Sequence, residues 1–343
     1  MVVFGTHTGS FSGNIKALLL ERDSSGINKI FIGGSKAMVR TVQHFGIDAY
    51  ERYSFKGIWY SLRAGTYVYS SYPSDINYWL SGGAKYVNVW HGTPLKKIER
   101  DVNTGYYALR NKYRLLYKLF APYFFSKPDI LLVASEYEKK CFSSAFAVDD
   151  KVFFPIFPPR LKNFISNSVD ITIQSKILYA PTWRDDHSFV LEEYMDLNRM
   201  NDFLSCMESI LYIKLHPSDT ISFEGEWSNI VVVPQEEDIY SVMKECTILI
   251  TDYSSMLFEY LYIEREVVLF CPDHEKYQKR SREFYFDICK QSFVDITLNF
   301  ESLLKVLEKK IKNKKSVPKL DDAYQPYSIV DNTMDQVIQR LYR

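Results

Sequence analysis

The chain has 343 residues, with 42 lysines and arginines against 42 aspartates and glutamates, so no overall field draws it to nucleic acid. Hydrophobic residues make up 46% and charged residues 24%, which excludes a disordered chain, a collagen-like repeat or a coiled coil and leaves an ordinary globular protein long enough for two domains. The aromatic share of 16% suits cores, ring stacking and membrane interfaces alike.

The five cysteines (Cys141, Cys206, Cys246, Cys271 and Cys289) form no C-x-x-C pair, so neither a disulfide framework nor a zinc knuckle is indicated, and a reducing cytoplasm fits. The run from Met1 to His7 lacks the basic and apolar regions of a signal peptide, and no uncharged apolar run approaches a bilayer span. Neither secretion by that route nor a membrane crossing is expected.

In chain order, apolar runs at 2–4, 29–32, 66–69, 86–89 and 130–133 read as strands, with helix-period stretches at 14–21 and 35–45 between the first of them. This is βαβ grammar, and it predicts a parallel sheet. The proline-dense stretch 154–159 reads as a linker, which puts a domain boundary near Arg160, with a first domain at 1–160. Further strands are predicted at 176–179, 210–213, 231–233, 247–250 and 267–270, making a second domain of 161–325. Residues 305–315 read as an exposed lysine-rich helix and tail. A closing helix, predicted at 328–341 within a 326–343 tail, is expected to pack back across the domains. Two α/β halves with a cleft between them are the expected outcome, with ligands at the carboxyl ends of strands.

The opening Gly5-Thr6-His7-Thr8-Gly9-Ser10-Phe11-Ser12-Gly13 carries neither a Gly-Lys-Ser/Thr ending nor G-x-G-x-x-G, so it supports neither a Walker ATPase nor a simple dinucleotide fold. It leads from the first strand into a helix near Asn14, which puts backbone N–H groups and Lys16 at the cleft edge; an ordinary βα turn accounts for it equally well. Val89-Trp90-His91-Gly92-Thr93-Pro94-Leu95-Lys96-Lys97 follows an apolar strand, so His91 stands at a strand's carboxyl end, where an imidazole can take a hydroxyl proton. Gly92 admits a ligand to the backbone, and Lys96 and Lys97 supply charge for phosphate. A lone histidine is more often structural.

Lys214-Leu215-His216-Pro217 repeats that arrangement in the second half. Ile250-Thr251-Asp252-Tyr253-Ser254-Ser255 then ends a strand and opens a helix, where Ser254 or Ser255 can cap and the N–H groups suit a pyrophosphate. Glu259 falls on the face of Ser255 and suits ribose hydroxyls, whereas the plainer reading of Asp252 and Ser254 is a helix cap. In Tyr179-Ala180-Pro181-Thr182-Trp183-Arg184-Asp185-Asp186, Trp183 offers a stacking face and Arg184 a bidentate phosphate donor. Asp185 and Asp186 leave a divalent ion such as Mg2+ open beside solvated or arginine-paired carboxylates, so no metal ligand is assigned. Arg110, Arg114 and Lys118 recur four residues apart, with Tyr113, Leu116, Tyr117 and Phe120 on another face. Residues 108–125 read either as an amphipathic helix on an anionic membrane surface or as a core helix with a solvated basic side.

Taken in order, the blocks from Trp90 to Lys96, Ala180-Pro181-Thr182-Trp183-Arg184, Leu215-His216-Pro217, Thr251-Asp252-Tyr253-Ser254-Ser255 with Glu259, and Arg282 with Phe284-Tyr285-Phe286-Asp287 resemble the CDP-glycerol glycerophosphotransferase family, which includes teichoic acid primases and polymerases and related capsule-polymer enzymes. The resemblance runs from about Gly9 to Asp287. It implies an α/β, GT-B-like fold of two Rossmann-like domains facing a central cleft, attached peripherally to the cytoplasmic face of the plasma membrane. The implied reaction moves glycerol phosphate, or another polyol phosphate, from CDP-glycerol or CDP-ribitol to a hydroxyl of a lipid-linked glycan or polyol-phosphate acceptor, releasing CMP.

On that resemblance His91 and His216 are the catalytic pair, and Thr182, Trp183, Arg184, Asp252, Ser254, Ser255, Glu259 and Arg282 hold the donor. Gly9, Asn14, Lys16, Gly92, Thr93 and Lys96 fall to the acceptor and its phosphates. Leu161-Lys162 replaces a frequent Asn-Asp pair, and Glu283 stands where glycine is usual. With short extensions beyond this core, a stand-alone transferase is expected. An acceptor hydroxyl deprotonated by His91 would attack the β-phosphorus in line, with His216, Arg184 and the Ser254-Ser255 turn offsetting the pyrophosphate charge; the histidines can exchange roles. A nucleotide-sugar glycosyltransferase of the same fold is the alternative, and a polymer-binding protein without chemistry the third.

Overall fold

Short runs that are apolar on both faces bury themselves best in parallel sheets covered by helices, and two such sheets form. The computed structural model describes residues 1–7, 11–22, 26–165, 175–182, 184, 191–215, 225–280, 283–288, 291–313 and 320–342. Within them the chain divides into one unit of residues 1–93, 97–163 and 323–343 and another of residues 94–96 and 164–322.

The first unit holds β1 (Val2–Gly5), β2 (Lys29–Gly33), β3 (Ala49–Glu51), β4 (Thr66–Tyr69), β5 (Lys85–Asn88), β6 (Ile130–Val133) and β7 (Phe153–Pro155). All are parallel, in the order β3-β2-β1-β4-β5-β6-β7. The second holds β8 (Ser175–Tyr179), β9 (Ser209–Ile213), β10 (Ile230–Val232), β11 (Ile248–Thr251), β12 (Glu266–Phe270) and β13 (Asp295–Thr297), parallel in the order β10-β9-β8-β11-β12-β13. Strand order reverses at β1/β4 in one sheet and at β8/β11 in the other. In open α/β sheets the carboxyl ends of strands beside such a reversal form the ligand crevice.

Helices close each sheet with their apolar stripes. Ile15 and Leu18 of Gly13–Leu20, Met38 and Val42 of Lys36–Gln43, and Met334 and Val337 of Thr333–Leu341 join Phe4, Phe31 and Val68 in the first core. In the second, Met200 and Leu204 of Leu197–Cys206 and Leu303 and Leu307 of Phe300–Lys312 pack on Ile177, Ile213 and Val268.

Four expectations are corrected here. The stretch read as a linker opens as strand β7; its Pro155 is tolerated because β7 is an edge strand, where a missing N–H breaks no inner ladder. The lysine-rich helix is not simply exposed: Leu303, Leu307, Lys310 and Ile311 are buried, and Lys310 pairs with Glu266 and, at 2.8 Å, with Asp295. The closing helix starts only at Thr333, and residues 323–343 belong to the first unit. The basic amphipathic helix is two short helices, Gly105–Lys112 and Arg114–Phe120, broken at Tyr113. Arg110 leaves the basic stripe altogether: it is buried, 2.8 Å from Glu99 and donating to the Tyr72 hydroxyl at 2.7 Å. None of the described helices is long and apolar enough to cross a membrane.

Candidate active site

In a parallel sheet the strands end together, so sheet order decides which strand ends meet. Because β1, β4 and β5 are neighbours, the residues just beyond them come together: His7, Ser70 with Ser71, and His91. His91 Nδ1 lies 3.1 Å from the Ser70 carbonyl oxygen. A carbonyl only accepts, so Nδ1 carries the proton and the lone pair of the neutral ring is on Nε2, the form a general base needs. Trp90 stacks on the imidazole with ring centroids 4.2 Å apart, braced by the rings of Phe142 and Phe146.

Trp90 has φ of 46°, a left-handed conformation that is costly for a bulky residue. Asn88 Oδ1 accepts its N–H at 2.8 Å, while Asn14 Nδ2 donates to the carbonyls of Val89 at 2.8 Å and Trp90 at 3.2 Å. These bonds hold a turn that leaves His91 exposed while Gly92 and Thr93 behind it are buried.

His7 and Asp75, which the sequence reading did not select, complete the cluster. His7 Nδ1 is 2.9 Å from Ser71 Oγ and 3.4 Å from Ser70 Oγ, and its ring centroid is 5.2 Å from that of His91. Partial burial of its ring pulls His7 below its ordinary 6.5. Asp75, ending the turn Pro73–Asp75, is buried, and its Oδ2 accepts N–H groups of Ser71 at 2.8 Å, Ser70 at 3.1 Å and Tyr72 at 3.4 Å. Burial pushes its carboxyl up to about 6, against the opposing pull of those donors. The turn presses so closely on β1 that a Cβ at Gly5 would stand 2.8 Å from the Asp75 carbonyl oxygen, so only glycine fits there.

The residues expected on the acceptor side divide. Asn14 is buried and uses both ends of its amide on the protein, donating to the His91 loop and accepting from the Arg160 backbone N–H and guanidinium at 3.2 Å each; it is framework. Thr93 donates to Glu138 Oε1 at 2.5 Å and is buried, also framework. Gly92, Asn14, Trp90, Glu138 and Arg160 line a cavity of about 20 Å³, room for about one water. Lys16 Nζ lies 5.8 Å from the Phe45 ring centroid. Lys96 is corrected in place: residues 94–96 group with the second unit, where its ammonium lies 4.9 Å from the Tyr277 ring centroid. Gly9 lies outside the described residues.

On the donor side, the β8/β11 reversal brings Thr182 and Asp252 together. Asp252 Oδ1 accepts the N–H groups of Thr182 at 2.8 Å and Tyr253 at 2.6 Å, and its Oδ2 takes Arg184 at 2.8 Å. Arg184 also reaches Asp273 Oδ2 at 3.0 Å, and its guanidinium lies over Tyr277 at 4.4 Å, which is itself stacked 3.8 Å from Tyr253. Burial weakens the guanidinium's hold on its proton, and the two carboxylates more than reverse that, so its pKa stands above the ordinary arginine value. Arg184 is therefore a buried cross-link rather than an open phosphate donor; Asp273 and Tyr277, its partners, have no sequence signal near the motif. Ser254 Oγ accepts the Met256 N–H at 3.3 Å, Ser255 makes no capping bond, and Glu259 is buried on Met256–Tyr262. The Thr182 hydroxyl is buried with no hydrogen-bond partner among the described residues. Trp183, Asp185, Asp186, His216 and Arg282 lie outside them.

A family model described as CDP-glycerol:poly(glycerophosphate) glycerophosphotransferase matches residues 1–340. The teichoic acid poly(glycerol phosphate) polymerase of Bacillus spizizenii is 26% identical over 99% of this chain and 91% of its own length. The teichoic acid glycerol-phosphate transferase of Staphylococcus aureus is 26% identical over 88% of this chain and 81% of its own. Among solved structures, a histidine-to-asparagine variant of the wall teichoic acid polymerase TagF soaked with CDPG superposes with a TM-score of 0.79 at 23% identity, covering 99% of this chain and 88% of that one. That likeness places both in the same GT-B-like class of paired parallel-sheet α/β units.

Proposed function

The chain belongs to the CDP-glycerol:poly(glycerophosphate) glycerophosphotransferase family, and on that premise we propose that it transfers glycerol phosphate, or another polyol phosphate, from a CDP-activated donor to an acceptor hydroxyl with release of CMP. The observation that carries the chemistry is the His91 loop: an exposed imidazole at a strand's carboxyl end, with its Nδ1 proton committed to the Ser70 carbonyl. Nε2 takes the proton of the acceptor hydroxyl as that oxygen attacks the donor's β-phosphorus, and CMP departs with the electron pair of the broken phosphoanhydride bond. Asp252 and Arg184 shape the donor end of the second unit, and Thr182, Ser254, Ser255 and Glu259 supply its hydroxyls and acid. Glycerol and ribitol donors both suit such a set.

The acceptor we propose is lipid-linked, met at an anionic membrane surface. Leu115, Leu119 and Phe120 are 84%, 69% and 75% exposed on a helix that buries nothing, among exposed Lys112, Arg114 and Lys118. Apolar side chains set among cations suit a headgroup boundary. Leu115→Glu with Leu119→Glu should abolish sedimentation with vesicles containing phosphatidylglycerol while leaving the melting temperature in place; undiminished sedimentation removes this helix from the membrane contact.

The deciding experiment measures CMP release from CDP-glycerol and CDP-ribitol in parallel, with and without a glycerophosphate-primed lipid acceptor. Acceptor-dependent release should fall on the order of 100-fold or more in His91→Ala. Near-normal turnover in that variant sinks the base assignment. No release from either donor beside a competent acceptor transfers the reading to nucleotide-sugar chemistry.

A further inference from the structure

We propose that Asp75 is a positioning residue for the base, acting on His91 through the Ser70–Ser71 peptide; the proposal rests on the reading of His91 as that base. A trans peptide is planar, so its N–H and C=O point in opposite directions. The N–H of this peptide, on Ser71, donates to Asp75 Oδ2 at 2.8 Å, and its C=O, on Ser70, accepts from His91 Nδ1 at 3.1 Å. Carboxylate, peptide and imidazole thus form one line of hydrogen bonds in which each polarises the next. A carboxylate directly on Nδ1 is the common way to fix a histidine's tautomer and support the imidazolium it becomes. Here the carboxylate does so from one peptide away.

The surroundings fit this role. The Pro73–Asp75 turn by itself needs only the Tyr72 N–H, the longest of the four contacts to Asp75 Oδ2 at 3.4 Å, whereas the shortest is the one that leads to His91. The Arg52 guanidinium donates to the Asp75 carbonyl at 2.6 Å and fixes the turn from the far side. His7, on the Ser71 hydroxyl, holds the same dipeptide from β1. The ionisable groups around the Asp75 carboxyl are therefore Arg52, His7, the buried Tyr69 phenol and, through the peptide, His91.

Two measurements test it. In the unaltered protein, nitrogen-15 NMR of the neutral His91 ring, assigned by loss of its signals in His91→Ala, should show the proton on Nδ1; a proton on Nε2 overturns the proposal without any variant. Asp75→Asn keeps the shape and removes the charge. It should lower kcat for CMP release roughly tenfold, the size of coupling within one hydrogen-bonded network, with KM for CDP-glycerol unchanged. The acidic limb of the pH–rate profile should move to lower pH, because an imidazolium with less support loses its proton more readily. A folded Asp75→Asn with wild-type kcat, or with reduced kcat and an unmoved limb, overturns it. Should that variant not fold, the tautomer measurement still decides. An active His91→Ala breaks the parent reading instead, and is told apart because a failure of Asp75 alone leaves His91→Ala inactive.

Discussion

The strand ends at β1/β4/β5 and those at β8/β11 lie at the corresponding order reversals of two sheets that share the order of six strands, yet they are built from opposite materials. The first is made of backbone groups, serines and the exposed imidazoles of His7 and His91, with its carboxylate set back behind a peptide. The second is a buried ion cluster in which Arg184 is locked between Asp252 and Asp273 and covered by Tyr253 and Tyr277. A group that must gain and lose a proton needs water and a modest field. A surface that must keep one shape against a doubly charged ligand gains from fixed charges already paired. The contrast separates residues whose loss costs rate from those whose loss costs the fold.

Arg184→Ala makes the largest break. It strands two carboxylates that are each under 10% exposed, and stability by urea unfolding should fall by about 3–5 kcal/mol. A loss below about 1 kcal/mol would mean the cluster is solvated and worth no more than a surface pair. His91→Ala should do the reverse, leaving unfolding free energy within about 1 kcal/mol of the parent, as for an exposed side chain, while activity collapses. If both variants lose stability alike, the two strand ends do not differ as described.

How much of this was legible follows from what each element buries. Inner strands such as 66–69 and 130–133 announce themselves because both faces are apolar. The three strands that sequence pattern missed, β3, β7 and β13, are each three residues long and lie at sheet edges, where half-exposed residues leave no continuous run. His91 was found because it follows its strand directly. His7 and Asp75 were not, since their meeting with His91 depends on β4 lying between β1 and β5, a fact of sheet order. Arg110 misled because helical spacing counts its charge and is blind to Glu99 and Tyr72 beneath it. Asn14 and Thr93 sit in the right loops, but their hydrogen bonds are spent on the protein.

The smallest expected effect sharpens the comparison most, because it asks whether the ion cluster touches ligand at all. The Thr182 hydroxyl is buried beside Asp252 without a partner among the described residues, although the Thr182 N–H is well bonded. A buried hydroxyl without a partner weakens the fold, so Thr182→Val, which puts a methyl in its place, should leave stability unchanged or raise it by up to about 1 kcal/mol. If that hydroxyl instead waits for the donor, the same variant should raise KM for CDP-glycerol by roughly 2- to 10-fold, with kcat held, the signature of lost ground-state binding. Stability gained with KM unmoved would make the whole Arg184 cluster scaffold and leave the donor contacts, among the described residues, to Ser254, Ser255 and Glu259. A raised KM with stability unmoved would mean that scaffold and binding surface meet at Thr182, whose N–H serves the fold and whose hydroxyl serves the ligand.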